Sequence, residues 1–385
     1  MRTRRRFLQD VAATGGLLSL SGLGRHAYAH LLPPRTGAPL RILILGGTGY
    51  IGPHLVHVAS QRGHSISMLN RGRREPSLFE SDYKNVEAIQ GDRATATGYD
   101  NLKGKTWDVV IETSGQQLPW TRDAVKALKG SVGRYQYVSS TGVFLPYHTV
   151  DIPENGPIVL KDEPPREQPS YGVMKALSEN EVRAGFGDNA IIIRPGYIVG
   201  PGDTSDRWTY WPVRVARGGE IMVPGKKTDP VQYVDVRDLA EWMILLLENG
   251  TNGTFNVVGP GRKQTMEEFV YGLGAITPVP LSWTWIEDYE WLKKYPWRRT
   301  QSGEPIGLSY AVPWIMAEGD NRGHMQISNR RALAAGLKYR PLAVTARDTA
   351  DWRLSPDVPQ PIRDQPRYVL TAEQETAMLQ AWKAR

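Results

Sequence analysis

Apolar positions along this chain of 385 residues fall into short runs separated by polar, glycine-bearing turns. Ile42, Leu43, Ile44 and Leu45 are four consecutive apolar residues rich in strand formers, the pattern of a strand covered on both faces of a parallel sheet. A helical stretch over 53–62 follows, with Leu55, Val56 and Ala59 recurring on one face. Residues 64–70, 86–90, 107–111 and 135–138 read as the second to fifth strands. Strands alternating with helical stretches at this spacing predict an α/β fold built on a doubly wound parallel sheet. Later, 239–247 reads as a buried helix, 254–258 as a short strand, and 328–335 and 344–352 as helices. Thr371-Ala372-Glu373-Gln374 has the form of a capping box opening a last helix to about Lys383. The pattern divides the chain into a sheet region over 41–260, a smaller C-terminal lobe on the substrate side over 261–354, and a proline-rich linker with terminal helix over 355–385.

Between the first strand and its helix, Gly46, Gly49 and Gly52 recur at spacings of three, with Thr48, Tyr50 and Ile51 between them. Strand, glycine turn and helix start are the setting of a dinucleotide-binding fingerprint in a Rossmann-type sheet. The first glycine permits the tight turn, the second lets backbone approach a pyrophosphate, and the third lets helix pack against strand. The helix N-terminus faces the phosphate charge. An Asp or Glu at the end of the second strand would accept hydrogen bonds from a ribose and favour NAD. Asn70-Arg71-Gly72-Arg73-Arg74 stands there instead, so arginines are placed to meet a 2′-phosphate and NADP is favoured over NAD. Arg73 and Arg74 also fit a solvated basic loop. Asp92, with Arg93 beside it, ends the third strand where it can reach an adenine amino group. Thr113 and Ser114 end the fourth, beside the expected cofactor.

The N-terminus changes how the charge reads. Arg4-Arg5-Arg6-Phe7-Leu8, a mildly apolar run over about 11–23, and Ala27-Tyr28-Ala29 resemble a twin-arginine signal spanning 1–29, followed by a lead-in over 30–40. The expectation is passage through the twin-arginine export machinery to the periplasm; an uncleaved N-terminal tether is the alternative. The apolar run is shorter than the ~20 residues a membrane span needs, so no stable span is expected. Segment 1–29 carries five arginines against one aspartate, four of the seven net positive charges, leaving roughly +3. The sequence pI of 9.4 is therefore largely the signal's, and nothing points to nucleic acid. The chain has no cysteine, which excludes disulfides, thiolate metal ligands and a thiol nucleophile. No histidine or carboxylate grouping has metal-ligand spacing.

Tyr171 and Lys175 stand four residues apart on a helical segment and share one face. A phenol of ordinary pKa near 10 is a poor base at neutral pH, and a lysine one turn away can stabilise its phenolate. The pair can then exchange a proton with a substrate hydroxyl, to which Ser140, past the fifth strand, can donate a hydrogen bond.

With these residues in place, the chain resembles the extended short-chain dehydrogenase/reductase superfamily of epimerases and dehydratases over about 41–260. Gly46, Gly49 and Gly52 match its glycine motif, Asp92 its adenine-contacting acid, and Ser140, Tyr171 and Lys175 its catalytic triad. Residues 194–201, with Pro195 expected at the cofactor, resemble its sixth-strand signature, and 234–240 a later strand-to-helix segment. Three features depart from that pattern. Thr141-Gly142 replace the Asp-Glu pair of dehydratases, Val231 stands where nucleotide-sugar enzymes carry an arginine, and the proline-rich segment 146–169 reads as an ordered cover.

The resemblance implies hydride transfer at a secondary alcohol or ketone of a sugar-like or other small molecule. A redox-neutral epimerase with permanently bound NADP(H) is the alternative, and a nucleotide-binding scaffold or redox sensor the non-enzyme one. It also implies a possible homodimer paired through two helices. Thr141, Arg207, Trp208, Tyr210 and Trp211 are expected at the substrate, with core packing the equal alternative for each aromatic.

Overall fold

The computed structural model describes residues 33–385 apart from 36, 300–304, 309, 359, 361, 362 and 364–369. The signal-like segment 1–29 lies outside the described residues. The described chain from Gly37 onward forms one compact unit.

Its central sheet has seven parallel strands. In chain order the elements are β1 (Arg41–Leu45), α1 (Ile51–Gln61), β2 (Ser65–Asn70), β3 (Glu87–Gln90), β4 (Trp107–Glu112), α2 (Leu118–Leu128), β5 (Val132–Val138), α3 (Tyr171–Phe186) and β6 (Ala190–Pro195). Then come β7 (Ile198–Val199), α4 (Tyr210–Ala216), β8 (Gly219–Pro224), β9 (Pro230–Asp235), α5 (Val236–Glu248), β10 (Gly253–Val257), β11 (Gly259–Thr265), α6 (Met266–Leu273) and β12 (Leu281–Ile286). The sheet order is β10-β6-β5-β4-β1-β2-β3. Chain direction across the sheet reverses between β1 and β4, and a ligand crevice is expected outside the strand ends there. Leu43, Leu45, Val110, Tyr135 and Ile192 supply one fully covered face of this core.

A second core draws on chain from both sides of β10. Trp208, Trp211, Tyr233, Phe269 and Trp314 pack together in it, with β8 paired to β12 and β9 to β11. The helix Ala372–Lys383 opens with the expected capping box: Thr371 Oγ1 accepts from Gln374 N, and the Gln374 side chain accepts from Thr371 N. Glu375 on it is buried against Arg214, whose Nε donates at 2.6 Å.

Two tethers position the site. Glu179 of α3 is buried and accepts from Arg194 Nε at 2.8 Å and Nη2 at 2.7 Å, and from Ser139 Oγ at 2.6 Å. This ties α3 to the ends of β5 and β6. The cover running from 145 is in turn fastened to 320–328: Tyr147 N donates to Asp320 O at 2.7 Å, Gly323 N to Tyr147 O at 2.7 Å, and Ser328 N to Ile152 O at 3.1 Å. At Gly323 a Cβ would lie 1.6 Å from Thr149 O, so only glycine allows this close strapping.

Candidate active site

The crevice at the switch point is lined by two adjoining cavities of about 450 and 540 Å³. The first is lined by Gly46, Thr48, Gly49, Asn70, Arg71, Gly72, Arg73, Arg74, Asp92, Arg93 and Ser114. Gly46 takes φ +96°, and a Cβ there would meet Ser114 at 2.4 Å. A Cβ at Gly52 would fall 2.2 Å from Gly47 O, whereas one at Gly49 meets nothing nearer than 3.7 Å. Gly52 therefore serves packing, and the open space at Gly49 is what a phosphate would need. The α1 N-terminus has no side-chain cap at Tyr50 and no acid in its first turn, so no side-chain charge there opposes an anion. The residues present fit a dinucleotide.

At the end of β2, Asn70 Oδ1 accepts from Gly72 N, and three arginine side chains face the cleft. Arg73 lies 3.7 Å from Asp92, whose Oδ1 accepts from Ala94 N. Arg93 lines the cleft but is otherwise committed. It donates to Tyr99 Oη at 2.9 Å and Ser114 Oγ at 2.8 Å, and it pairs with buried Glu112. Thr113 and Ser114 likewise donate to backbone carbonyls at the end of β1. These three hold the glycine turn in shape and keep few polar atoms for a ligand.

The second cavity brings together Tyr50, Ile51, Thr113, Ser140, Thr141, Tyr171, Lys175, Pro195 and Arg207. Ser140 Oγ accepts from Gly142 N at 3.0 Å, leaving its own proton to point elsewhere. Lys175 is buried, and its Nζ donates to Gly115 O and Val138 O, both at 2.9 Å. Burial lowers its pKa to about 8. Tyr171 differs from expectation. Its phenol is raised by desolvation, and what opposes this is the Ser140 hydroxyl and the Arg207 charge rather than Lys175. Lys175 Nζ lies 5.8 Å from the Tyr171 ring centroid, and its protons are drawn to two carbonyls. The side of Tyr171 turned to the cavity stays open, 54% of the residue being exposed.

Three expected substrate contacts lie elsewhere. Trp208 and Trp211 are fully buried in the second core, with Trp211 Nε1 donating to Val312 O at 2.8 Å. Tyr210 packs beside them and reaches Glu375. Large aromatics following a turn have the same sequence signature whether they face ligand or core. Conversely, Tyr147, Tyr197, Asp203 and His324 line the cavity without having been singled out. Tyr197 lies within the sixth-strand signature, a signal that was available; His324 sits in a stretch with no periodicity to mark it.

With this geometry in view, comparison with known proteins places the fold. The family described as the NAD dependent epimerase/dehydratase family matches residues 42–259. The chain belongs to that family. As a family member it is an NAD(P)-dependent enzyme, an assignment in keeping with the fit of the crevice to a dinucleotide. Among relatives, it is 26% identical over 234 residues to the chloroplast stem-loop binding protein of 41 kDa b of Arabidopsis thaliana, covering 57% of this chain and 58% of that protein. The match thus spans little more than half of the plant protein. It is 25% identical over 265 residues to a dTDP-4-dehydro-6-deoxy-D-allose reductase of Streptomyces sp, covering 59% of this chain and 78% of the reductase. Among solved structures, the Bordetella bronchiseptica enzyme WbmH in complex with NAD+ shares the fold with a TM-score of 0.59 at 17% identity, over 83% of this chain and 100% of that one.

Proposed function

We propose that this family member transfers hydride at a secondary alcohol or ketone of a small molecule, with NADP preferred. The observation carrying this reading is the convergence of Ser140, Tyr171 and Lys175 on one cavity that adjoins the dinucleotide cleft. A bound nicotinamide supplies or accepts the hydride. Tyr171 passes a proton between its phenol and the substrate oxygen, and Ser140 donates to the same oxygen. Lys175, fixed by two carbonyls, stands on the same helix face with its Nζ 5.8 Å from the Tyr171 ring centroid. Arg71, at the end of a strand with no acid, supports the NADP preference. A scaffold that only binds nucleotide would gain nothing from all three groups.

The test is turnover of NADPH with a panel of ketones. Tyr171→Phe should lower it by about 10²–10⁴-fold, the usual contribution of a positioned acid/base, with an unchanged melting temperature. Wild-type turnover in that variant would refute the assigned role.

A second reading is redox-neutral epimerisation with retained NADP(H). It agrees with export of an already folded, cofactor-loaded protein by the twin-arginine route, because no pool of free NADP(H) is expected outside the inner membrane. Both readings are testable. Extended dialysis should leave cofactor bound, and replacing Arg4 and Arg5 by lysine should hold the protein in the cytoplasm. Ready loss of NADP(H), or unchanged export, would remove the respective half.

A further inference from the structure

Arg207 is a cation of the catalytic cavity that makes no ion pair among the described residues; Asp203 of the same cavity feels its charge without pairing with it. Its Nε donates to Ser205 Oγ at 3.2 Å, and its guanidinium lies 5.4 Å from the Tyr197 ring centroid. Among the described residues no carboxylate comes within ion-pair distance of it. The other charges facing the cavity are engaged. Lys175 spends two protons on backbone carbonyls, and Asp203, its carboxyl pushed up by burial, accepts from Ser205 N at 2.8 Å. A half-buried guanidinium with donors to spare is a ready partner for a planar anion.

The C-terminal lobe contributes one side chain to the same cavity, His324. Its ring stacks on Tyr147, centroids 4.0 Å apart and planes 7° from parallel, and is tilted against Tyr197 at 5.8 Å. Its Nδ1 is buried and without a hydrogen-bond partner. Burial lowers its pKa to about 4, so it meets a ligand as a neutral imidazole. The Gly323–Tyr147 backbone bond fixes the stack, so this wall is preformed.

We propose that the substrate is a cyclic hydroxy or keto acid, its carboxylate held by Arg207 and its ring seated against the Tyr147–His324 wall. The inference rests on Tyr171 as the proton-transferring group of this cavity. The carboxylate takes no part in the bond changes; it fixes which carbinol carbon is presented to Tyr171. Val231, standing where nucleotide-sugar enzymes carry a phosphate-holding arginine, is buried in the second core, so Arg207 does not duplicate that contact.

The probe pair is an oxocyclohexanecarboxylate and its methyl ester, sharing the keto ring and differing in charge, titrated calorimetrically into the full chain holding NADP+. Wild type should bind the acid at least tenfold more tightly than the ester. Arg207→Met should abolish that ratio, Arg207→Lys should keep most of it, and NADP+ affinity should be unchanged in both. His324→Ala should weaken both cyclic ligands several-fold while leaving the acyclic keto acid levulinate unaffected. Equal binding of acid and ester by wild type, or no binding of the acid, overturns the proposal. So does loss of NADP+ affinity in Arg207→Met at an unchanged ratio, which would place Arg207 on the cofactor. Because binding is read without turnover, a retained preference alongside undiminished turnover in Tyr171→Phe would sink the role of Tyr171 and leave the substrate class standing.

Discussion

Replacing Glu179 by alanine tests how helix α3, which carries Tyr171 and Lys175, is anchored. The carboxylate is fully buried and takes four hydrogen bonds: two from Arg194, one from Ser139 and one from Arg183 at 3.0 Å. Arg194, itself buried, would keep one partner, Glu154 O at 2.8 Å. Removing one member of a buried ion pair costs about 3–5 kcal/mol, because the remaining charge is left without an answer in a poorly solvated place. With an unfolding entropy of about 2.1 cal/mol/K per residue over roughly 350 residues, that is a fall in melting temperature of about 4–7 °C. The same change frees α3 from the end of β5, where Val138 O holds Lys175. Calorimetry of the purified variant should therefore show the lowered transition, and kcat should fall more than KM rises. Glu179→Gln, which keeps the volume, should recover part of the melting temperature. A shift under 1 °C in the alanine variant would show that Arg194 finds water or another partner, and that the anchor is elsewhere.

Further tests separate structural from ligand-facing roles. Gly49→Ala puts a methyl into open space, so NADP+ affinity should fall at least tenfold with the cofactor-free melting temperature unchanged. Gly52→Ala places its methyl 2.2 Å from Gly47 O and should destabilise the fold itself; equal melting of the two variants would contradict this division. Asn70→Asp combined with Arg71→Ala should reverse the preference from NADP toward NAD in a titration of both, and a wild-type preference for NAD would overturn the role of Arg71. His324 is neutral when folded down to about pH 4 but protonates near pH 6.5 when unfolded. The unfolded chain then binds more protons between those values, and stability contributed by this group is lost as pH falls. His54, also lowered to about 4, acts in the same sense, and Asp238, raised to about 7, in the opposite one. The difference between wild type and His324→Phe isolates the His324 part. Denaturant titrations should differ in slope by up to about 1.4 kcal/mol per pH unit over pH 5–6, and parallel curves would mean that the imidazole is solvated.

The first five strands were legible because each is a short run whose register the sheet enforces; Ile42–Leu45 and Trp107–Glu112 are buried along nearly their whole length. The glycine turn was legible for a different reason, since Gly46 and Gly52 are the residues that this geometry tolerates, and Tyr171 and Lys175 because a helix fixes their separation. What escaped depends on contacts across long sequence distances. Tyr147 and His324 are 177 positions apart, and neither has meaning until the cover is strapped to 320–328. The aromatics following β7 failed in the opposite direction. They share their sequence setting with Arg207, but a chain reversing into the second core turns Trp208 and Trp211 inward and leaves Arg207 lining the cavity. Local sequence thus places the glycines at one turn and Tyr171 and Lys175 on one helix face, whereas the second cavity is lined by segments far apart in the chain whose meeting only the fold determines. A family sharing the first part can change the second by altering one loop at a time, which is why the triad alone does not name the substrate.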